Sequence, residues 1–247
     1  MGAYEVKKLE AVWFEFAGAR NTEKGVRLLS LPVRYHPAER GELVQVPGRD
    51  GYLWAPDGAY NNVLTRVQCQ TADDADMAIV SAWLRGEGKL RFSDDPNRFY
   101  RARVTKEFSQ SAAINRFVNQ AFTVTFDCQP FLYHVEAEDG DDAEITASPH
   151  TLTNPGTYKS APRIKVEGTG DVVLAIGTQI VEIEGLEDGI IIDSELGDCF
   201  NLAESALLND KVTLMDDDFP TLAPGANIIS WTGTVTKITV TPRWRDL

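Results

Sequence analysis

The stretch Phe122-Thr123-Val124-Thr125-Phe126-Asp127-Cys128 carries an apolar residue at every second position. Successive side chains of a β-strand point to opposite faces. This spacing therefore puts Phe122, Val124, Phe126 and Cys128 together on one face of a sheet. Gln129-Pro130-Phe131-Leu132-Tyr133-His134 follows directly. Proline has no N–H to give to a central ladder, so the strand is expected to end near Pro130. The acidic run 136–144 comes next, and it marks the expected boundary between a domain over 1–133 and a second over 134–247.

Charge points to the same division. Residues 1–130 carry 17 Lys+Arg against 16 Asp+Glu, a net of +1, whereas residues 131–247 carry 7 against 21, a net of −14. A half that acidic repels nucleic-acid phosphates and resists non-specific collapse. With 247 residues, 43% of them hydrophobic, the chain has enough apolar material for one large β domain or two medium ones. No stretch approaches the ~18 consecutive apolar residues of a membrane-spanning helix. Residues 1–10 are mixed and charged, so no secretory signal is expected. Cys69, Cys128 and Cys199 are odd in number and far apart, which suits reduced, buried thiols made in a cytosolic compartment.

Working outward, further alternating runs lie at 164–166, 172–176, 180–183 and 190–192. Glycine-containing turns are expected between them at 167–171 and 185–189. The last run, 237–241, sets Ile238 and Val240 on one face. Short strands at this spacing predict a mainly β chain built of antiparallel sandwiches. One helix interrupts the first half. Thr71-Ala72-Asp73-Asp74 offers an N-cap and early acidic residues. Met77, Val80 and Leu84, flanked by Ile79 and Trp83, form an apolar stripe, and Gly86 is the expected terminator. The Met and Trp of that stripe read as core, not as a cofactor box.

Candidate chemistry is sparse. His36, His134 and His150 are scattered, with no second His or Cys at metal-ligand spacing. Neither the acidic stretch 136–142 nor Asp216-Asp217-Asp218 fits a calcium-loop pattern with its distal Glu. Gly168-Thr169-Gly170 lacks the third glycine of a dinucleotide fingerprint, because position 173 is Val173, and a strand follows it. No G-x-S-x-G elbow and no P-loop occur. The expectation is no catalytic residue, no metal and no cofactor. Arg91, Arg98, Arg101, Arg103 and Lys106, interleaved with Phe92, Phe99 and Tyr100, could form a single-strand nucleic-acid groove. A hairpin face, turning at Ser93-Asp94-Asp95-Pro96-Asn97, or a subunit contact is the preferred reading.

Val46-Pro47-Gly48-Arg49-Asp50-Gly51 remains. A phosphate nest would need more consecutive backbone donors and a following helix. Here a strand-like Gly51-Tyr52-Leu53-Trp54 follows. The order is Gly-Arg-Asp, not the Arg-Gly-Asp of adhesion ligands. These residues describe a tight turn between two strands, with Arg49 and Asp50 either paired or reaching a neighbour.

Taken in order, a series of motifs resembles the distal tail (Dit) proteins of long-tailed phages with non-contractile tails. Trp13-Phe14-Glu15-Phe16 precedes Lys24-Gly25-Val26, and Val46-Pro47-Gly48-Arg49-Asp50-Gly51 comes next. Trp83-Leu84-Arg85-Gly86-Glu87-Gly88 leads to Leu90-Arg91-Phe92-Ser93-Asp94-Asp95-Pro96 and Phe99-Tyr100-Arg101-Ala102. Val124-Thr125-Phe126-Asp127-Cys128-Gln129-Pro130-Phe131 closes the first half. In the second, Asn154-Pro155-Gly156-Thr157, Ser160-Ala161-Pro162-Arg163-Ile164 and Asp193-Ser194-Glu195 follow. Phe219-Pro220-Thr221-Leu222-Ala223-Pro224-Gly225-Ala226-Asn227 and a final Pro242-Arg243-Trp244-Arg245 complete the series, which spans nearly the whole chain.

The resemblance implies a structural virion protein at the distal end of the tail, synthesised in the host cytoplasm. Its N-terminal β-sandwich would build a homo-hexameric ring, and a galectin-like or carbohydrate-module-like sandwich would project outside. The ring would join the tail-tube protein to the tail-associated hub protein and anchor receptor-binding or side-fibre proteins. DNA would pass through the lumen without being read in sequence, and no membrane is involved. On this view Pro47, Gly48, Arg49, Asp50 and Gly51 are subunit-interface candidates. A near-neutral first half packs into a ring at little electrostatic cost, and an acidic second half stays apart from its copies. The basic Arg243-Trp244-Arg245 is expected to return toward the first domain or lie beside the linker. Two other classes stand against this reading, a carbohydrate-binding module for host-surface adhesion and a tail-associated hydrolase. Trp231, Tyr158 and Trp244 are the aromatic candidates for sugar stacking, with core packing preferred for each.

Overall fold

Phe122, Val124, Phe126 and Cys128 line the buried face of β9 (Ala121–His134), around which the first half of the chain is organised. The structure is a computed structural model that describes residues 12–72, 77–105, 121–138, 142–215 and 218–247. It divides into two compact units. One contains the chain up to Leu132 together with Leu247, and the other is Tyr133–Asp246.

In chain order the first unit has β1 (Phe14–Phe16), β2 (Ala19–Arg20), β3 (Val26–Leu28), β4 (Glu39–Gln45), β5 (Tyr52–Tyr60) and β6 (Val63–Thr71). Helix α1 (Met77–Trp83), β7 (Glu87–Phe92) and β8 (Asp95–Val104) precede β9. The main sheet runs β2-β1-β7-β8-β9-β6-β3. Strands close in sequence, β2 and β3, thus sit at opposite edges. Asn21 explains how. Fully buried in the 3-10 turn between them, it accepts the Phe14 N–H at 2.9 Å and donates to the Val26 carbonyl at 2.9 Å. One amide side chain therefore ties β1, beside one edge, to β3 at the other, and the sheet curls over its own core.

Phe14, Phe16 and Phe126 meet inside that curl with ring centroids 5.1–6.1 Å apart. Helix α1 plugs it. Val80 and Leu84 are buried, and Trp83 stacks on Phe14 and donates its indole N–H to the Phe16 carbonyl at 2.9 Å. Each fully buried phenylalanine adds about 2–3 kcal/mol of apolar burial. Ile79, expected beside the stripe, points to solvent. Thr71, read as an N-cap, is instead the last residue of β6, paired with Val26. Asp73 and Asp74 lie outside the described residues. β9 also continues past Pro130 to His134. The β6 ladder reaches only Cys128, so the missing proline N–H falls beyond it.

The second unit holds β10 (Ala143–Ile145), β11 (His150–Asn154), β12 (Arg163–Ile176), β13 (Gln179–Leu186), β14 (Gly189–Asp193), β15 (Asp198–Phe200), β16 (Val212–Leu214), β17 (Gly225–Thr241) and β18 (Arg245–Asp246). Its frame is the antiparallel pair β12–β17. The first half of β12 pairs with β14 and the second half with β13. β17 likewise pairs with β11 early and β10 late. Two long strands thus pass from one layer of a β-sandwich to the other. Ile164, Val166, Val172, Leu174, Ile238 and Val240 from both halves share one buried cluster.

The crossing falls where a turn is expected from the sequence. Glu167-Gly168-Thr169-Gly170-Asp171 does not end a strand; the ladder slips register there and goes on. A Cβ on Gly168 would lie 2.2 Å from the Thr234 carbonyl oxygen, and one on Gly233 would lie 2.3 Å from that of Asp171. These glycines mark the close approach of two bending backbones, not a nucleotide loop.

Candidate assembly surface

β4 and β5 form a two-stranded sheet of their own, paired Gln45↔Tyr52, Val44↔Leu53, Leu43↔Trp54 and Glu42↔Ala55. The Val46-to-Gly51 stretch is its tip. Gly48 (φ 79°) and Gly51 (φ 77°) adopt the left-handed backbone that glycine tolerates, and the Arg49 N–H bonds to the Val46 carbonyl at 3.2 Å. Pro47, Gly48, Arg49, Asp50 and Gly51 are exposed, and among the described residues Arg49 and Asp50 form no side-chain ion pair, with each other or elsewhere. The strands are held by cross-strand polar contacts. Arg40 grips Asp57, holding that carboxyl below its ordinary range, and Trp54 donates to Glu39 at 3.3 Å.

Both faces of this hairpin are apolar and solvated. Leu43 (65% exposed), Tyr52 (63%) and Trp54 share one face, and Val44 and Leu53 share the other. A two-stranded ribbon is marginal by itself in water. Apolar patches of this kind mark contact surfaces. Upstream, Leu29, Leu31, Val33 and Tyr35 are exposed on a stretch without regular structure. Arg34 fastens it to the β7–β8 turn through Asp94 (2.8 Å) and Asp95 (3.1 Å). A groove of about 680 Å³ lies between residues 30–38 and the outer face of β6, where Leu64, Arg66 and Gln68 point away from the core. The alternation Leu29, Leu31, Val33, Tyr35 is visible in the sequence. It carries the same signal as a buried strand, so periodicity alone does not mark it as exposed.

The basic cluster is committed elsewhere. Arg91 bonds both Glu15 oxygens at 2.9 and 3.0 Å, Arg98 holds Asp95 at 2.8 Å, and Arg103 lies 3.7 Å from Glu87. Phe92, Phe99 and Tyr100 are buried and cannot stack on bases. Lys106 lies outside the described residues. The turn forms at Ser93 and Asp94, between β7 and β8.

The remaining candidates are structural. His36 faces the Pro37 carbonyl at 3.1 Å, and His134 meets Asp246 at 2.9 Å. Among the described residues no three His, Cys, Asp or Glu side chains converge as a metal site, and no helix is long and apolar enough to cross a membrane. Residues 139–141 and 216–217 lie outside the described residues. Burial pushes the Cys69 and Cys199 thiols up to about 12 and Cys128 to about 11, so all three are inert. Trp244 is buried, and its carbonyl accepts the His134 N–H at 2.9 Å, setting the terminal strand beside the end of β9. Trp231 packs against the second core, and the Arg245 guanidinium lies 5.5 Å from the Tyr158 ring.

One buried charge pair stands out. Arg243 (φ 52°) clamps Asp193 through two bonds of 2.7 and 2.9 Å and reaches Glu195 at 3.3 Å. Burial alone would raise the Asp193 carboxyl. The guanidinium and the N–H groups of Glu195 and Leu196 outweigh it and hold the carboxyl below its ordinary range. A glycoside-cleaving acid needs the opposite shift.

This mainly β architecture, a curled sheet plugged by α1 followed by a sandwich with two shared strands, has a solved counterpart. No family model matches the sequence, and no curated protein does. Among solved structures the chain is similar to the Dit protein of phage SPP1, described as a paradigm of the hub adsorption apparatus in phages infecting Gram-positive bacteria. The similarity covers 93% of this chain and 98% of that one, with a TM-score of 0.63 and 16% sequence identity. The chain therefore has a Dit-like fold.

Proposed function

We propose that this chain is a non-enzymatic distal tail hub of a long, non-contractile phage tail. Six copies of its first unit close a ring, and its second unit, a galectin-like sandwich, projects outside. The ring joins the tail-tube protein to the tail-associated hub, anchors receptor-binding or side-fibre proteins, and lets DNA through its lumen. The observation that carries this reading is the likeness to SPP1 Dit over almost the full length of both chains. The hairpin supports it, because Leu43, Tyr52 and Trp54 in solvent are what a subunit waiting for a neighbour exposes. The charge division supports it too, since the acidic half belongs outside the ring.

The test is solution mass by light scattering over a concentration series, with negative-stain images of each species. A six-fold species with a central hole supports the ring. A chain that stays monomeric at every concentration, and also with tail-tube protein added, overturns it and brings glycan binding by residues 140–247 to the front.

A further inference from the structure

Resting on the ring reading, we infer that subunits join head to tail, the β4–β5 hairpin of one copy seating its Leu43–Tyr52–Trp54 face in the groove of the next. Three observations carry this contact. The groove lining contains no residue of β4 or β5, so the hairpin does not fill its own groove. The Asn61 N–H bonds to the Ala38 carbonyl at 2.9 Å and closes the hairpin at the groove's rim, since both residues line it. The projecting ribbon therefore leaves the groove open to another copy.

Charge is complementary. Residues 39–60 carry two cations, Arg40 and Arg49, against four anions, Glu39, Glu42, Asp50 and Asp57. Among the described residues, the one formally charged residue lining the groove is Arg66. A net-acidic ribbon thus meets a net-basic slot whose apolar walls include Leu31, Val33, Tyr35 and Leu64. Finally, knob and hole are different surfaces of one chain. Such a contact is heterologous, and it repeats from copy to copy until the rotation closes a ring.

The experiment uses full-length chains, each carrying one fault. Leu43→Glu spoils the hairpin; Leu64→Glu spoils the groove, and Val33→Glu spoils it again at a residue outside the sheet. Unchanged thermal unfolding shows that each variant is folded. Each variant alone should associate at least about tenfold more weakly than the wild type. Mixing the hairpin variant with either groove variant leaves one intact knob for one intact hole. The mixture should form a species of twice the 27.3 kDa chain mass that grows no further. If both folded groove variants form rings as the wild type does, this contact is wrong and the ring reading stands. A mixture that stays monomeric overturns the head-to-tail geometry. Wild type that never associates alone also overturns this contact, which needs no third protein; the ring reading then rests on the tail-tube addition.

Discussion

β12–β17 and β4–β5 are both long antiparallel ladders with apolar residues along them, and their surroundings differ completely. In the first, Leu174, Ile164 and Val240 are fully buried, because the two strands bend across both layers of a sandwich and so cover themselves. In the second, Leu43, Tyr52 and Trp54 remain in water, because among the described residues no further strand pairs with this two-stranded ribbon. Alternation alone does not separate the cases. What separates them is whether the chain supplies the opposing surface itself or leaves the ladder uncovered.

Truncating one leucine in each ladder tests that contrast. Leu174→Ala should cost about 2–5 kcal/mol of folding stability, through lost burial and the cavity left behind, and denaturant titration would show it. Leu43→Ala removes the same atoms, yet should move the unfolding free energy by no more than about 0.5 kcal/mol, because that side chain is already solvated. Its effect should fall on assembly. Comparable losses of stability from both variants would end the distinction between a self-covered ladder and a waiting one.

Charge pairs sharpen the same contrast. Arg243→Ala strands Asp193, whose side chain is 5% exposed. The expected cost is about 2 kcal/mol, below the roughly 3–5 kcal/mol of a fully enclosed pair, because the guanidinium keeps a solvated edge. The pH dependence follows from the depressed Asp193 carboxyl. Its contribution is complete above the ordinary carboxylate pKa of about 3.9 and is lost as pH falls through the lower folded value. The gap between wild type and variant should therefore be constant near neutrality and close below about pH 4. A gap that widens in acid would mean that Arg243 acts elsewhere. The solvated Arg40–Asp57 pair should lose stability in acid in the same direction but to a smaller extent, because water screens it.

Much of the fold is legible from residue types. The alternation at 122–128 is β9, the stripe from Met77 through Val80 is α1 with Leu84 just past its end, and the Ser93-Asp94 turn joins β7 to β8. The failures have one physical origin. Gly168-Thr169-Gly170 signals a break in local chain preference, but its φ/ψ freedom is used to bend a continuing strand, which depends on Thr234 being opposite. Pro130 misleads because its consequence depends on where the β6 ladder stops. At the candidate site the turn at Gly48 and Gly51 follows from the sequence. The apolar flanks do not, since Leu43 in solvent and Leu43 in a core leave the same trace.

The smallest expected effect lies at the hairpin tip. Arg49→Ala with Asp50→Ala should leave the unfolding midpoint unchanged, because the turn is set by Gly48, Gly51 and the bond from the Arg49 N–H to Val46, none of which uses the altered side chains. On the ring reading the two charges lie beside a neighbouring subunit, at the margin of an apolar contact. Pairs of that kind are worth about 0.2–1 kcal/mol, so association should weaken about two- to fivefold. Salt fixes the cause. At high ionic strength the wild type should lose most of its advantage over the double variant, while the Leu43→Ala defect persists. Sedimentation at two salt concentrations distinguishes the two. If association is unchanged at both, the tip projects past the contact, and the Leu43 face is what recognises the next copy.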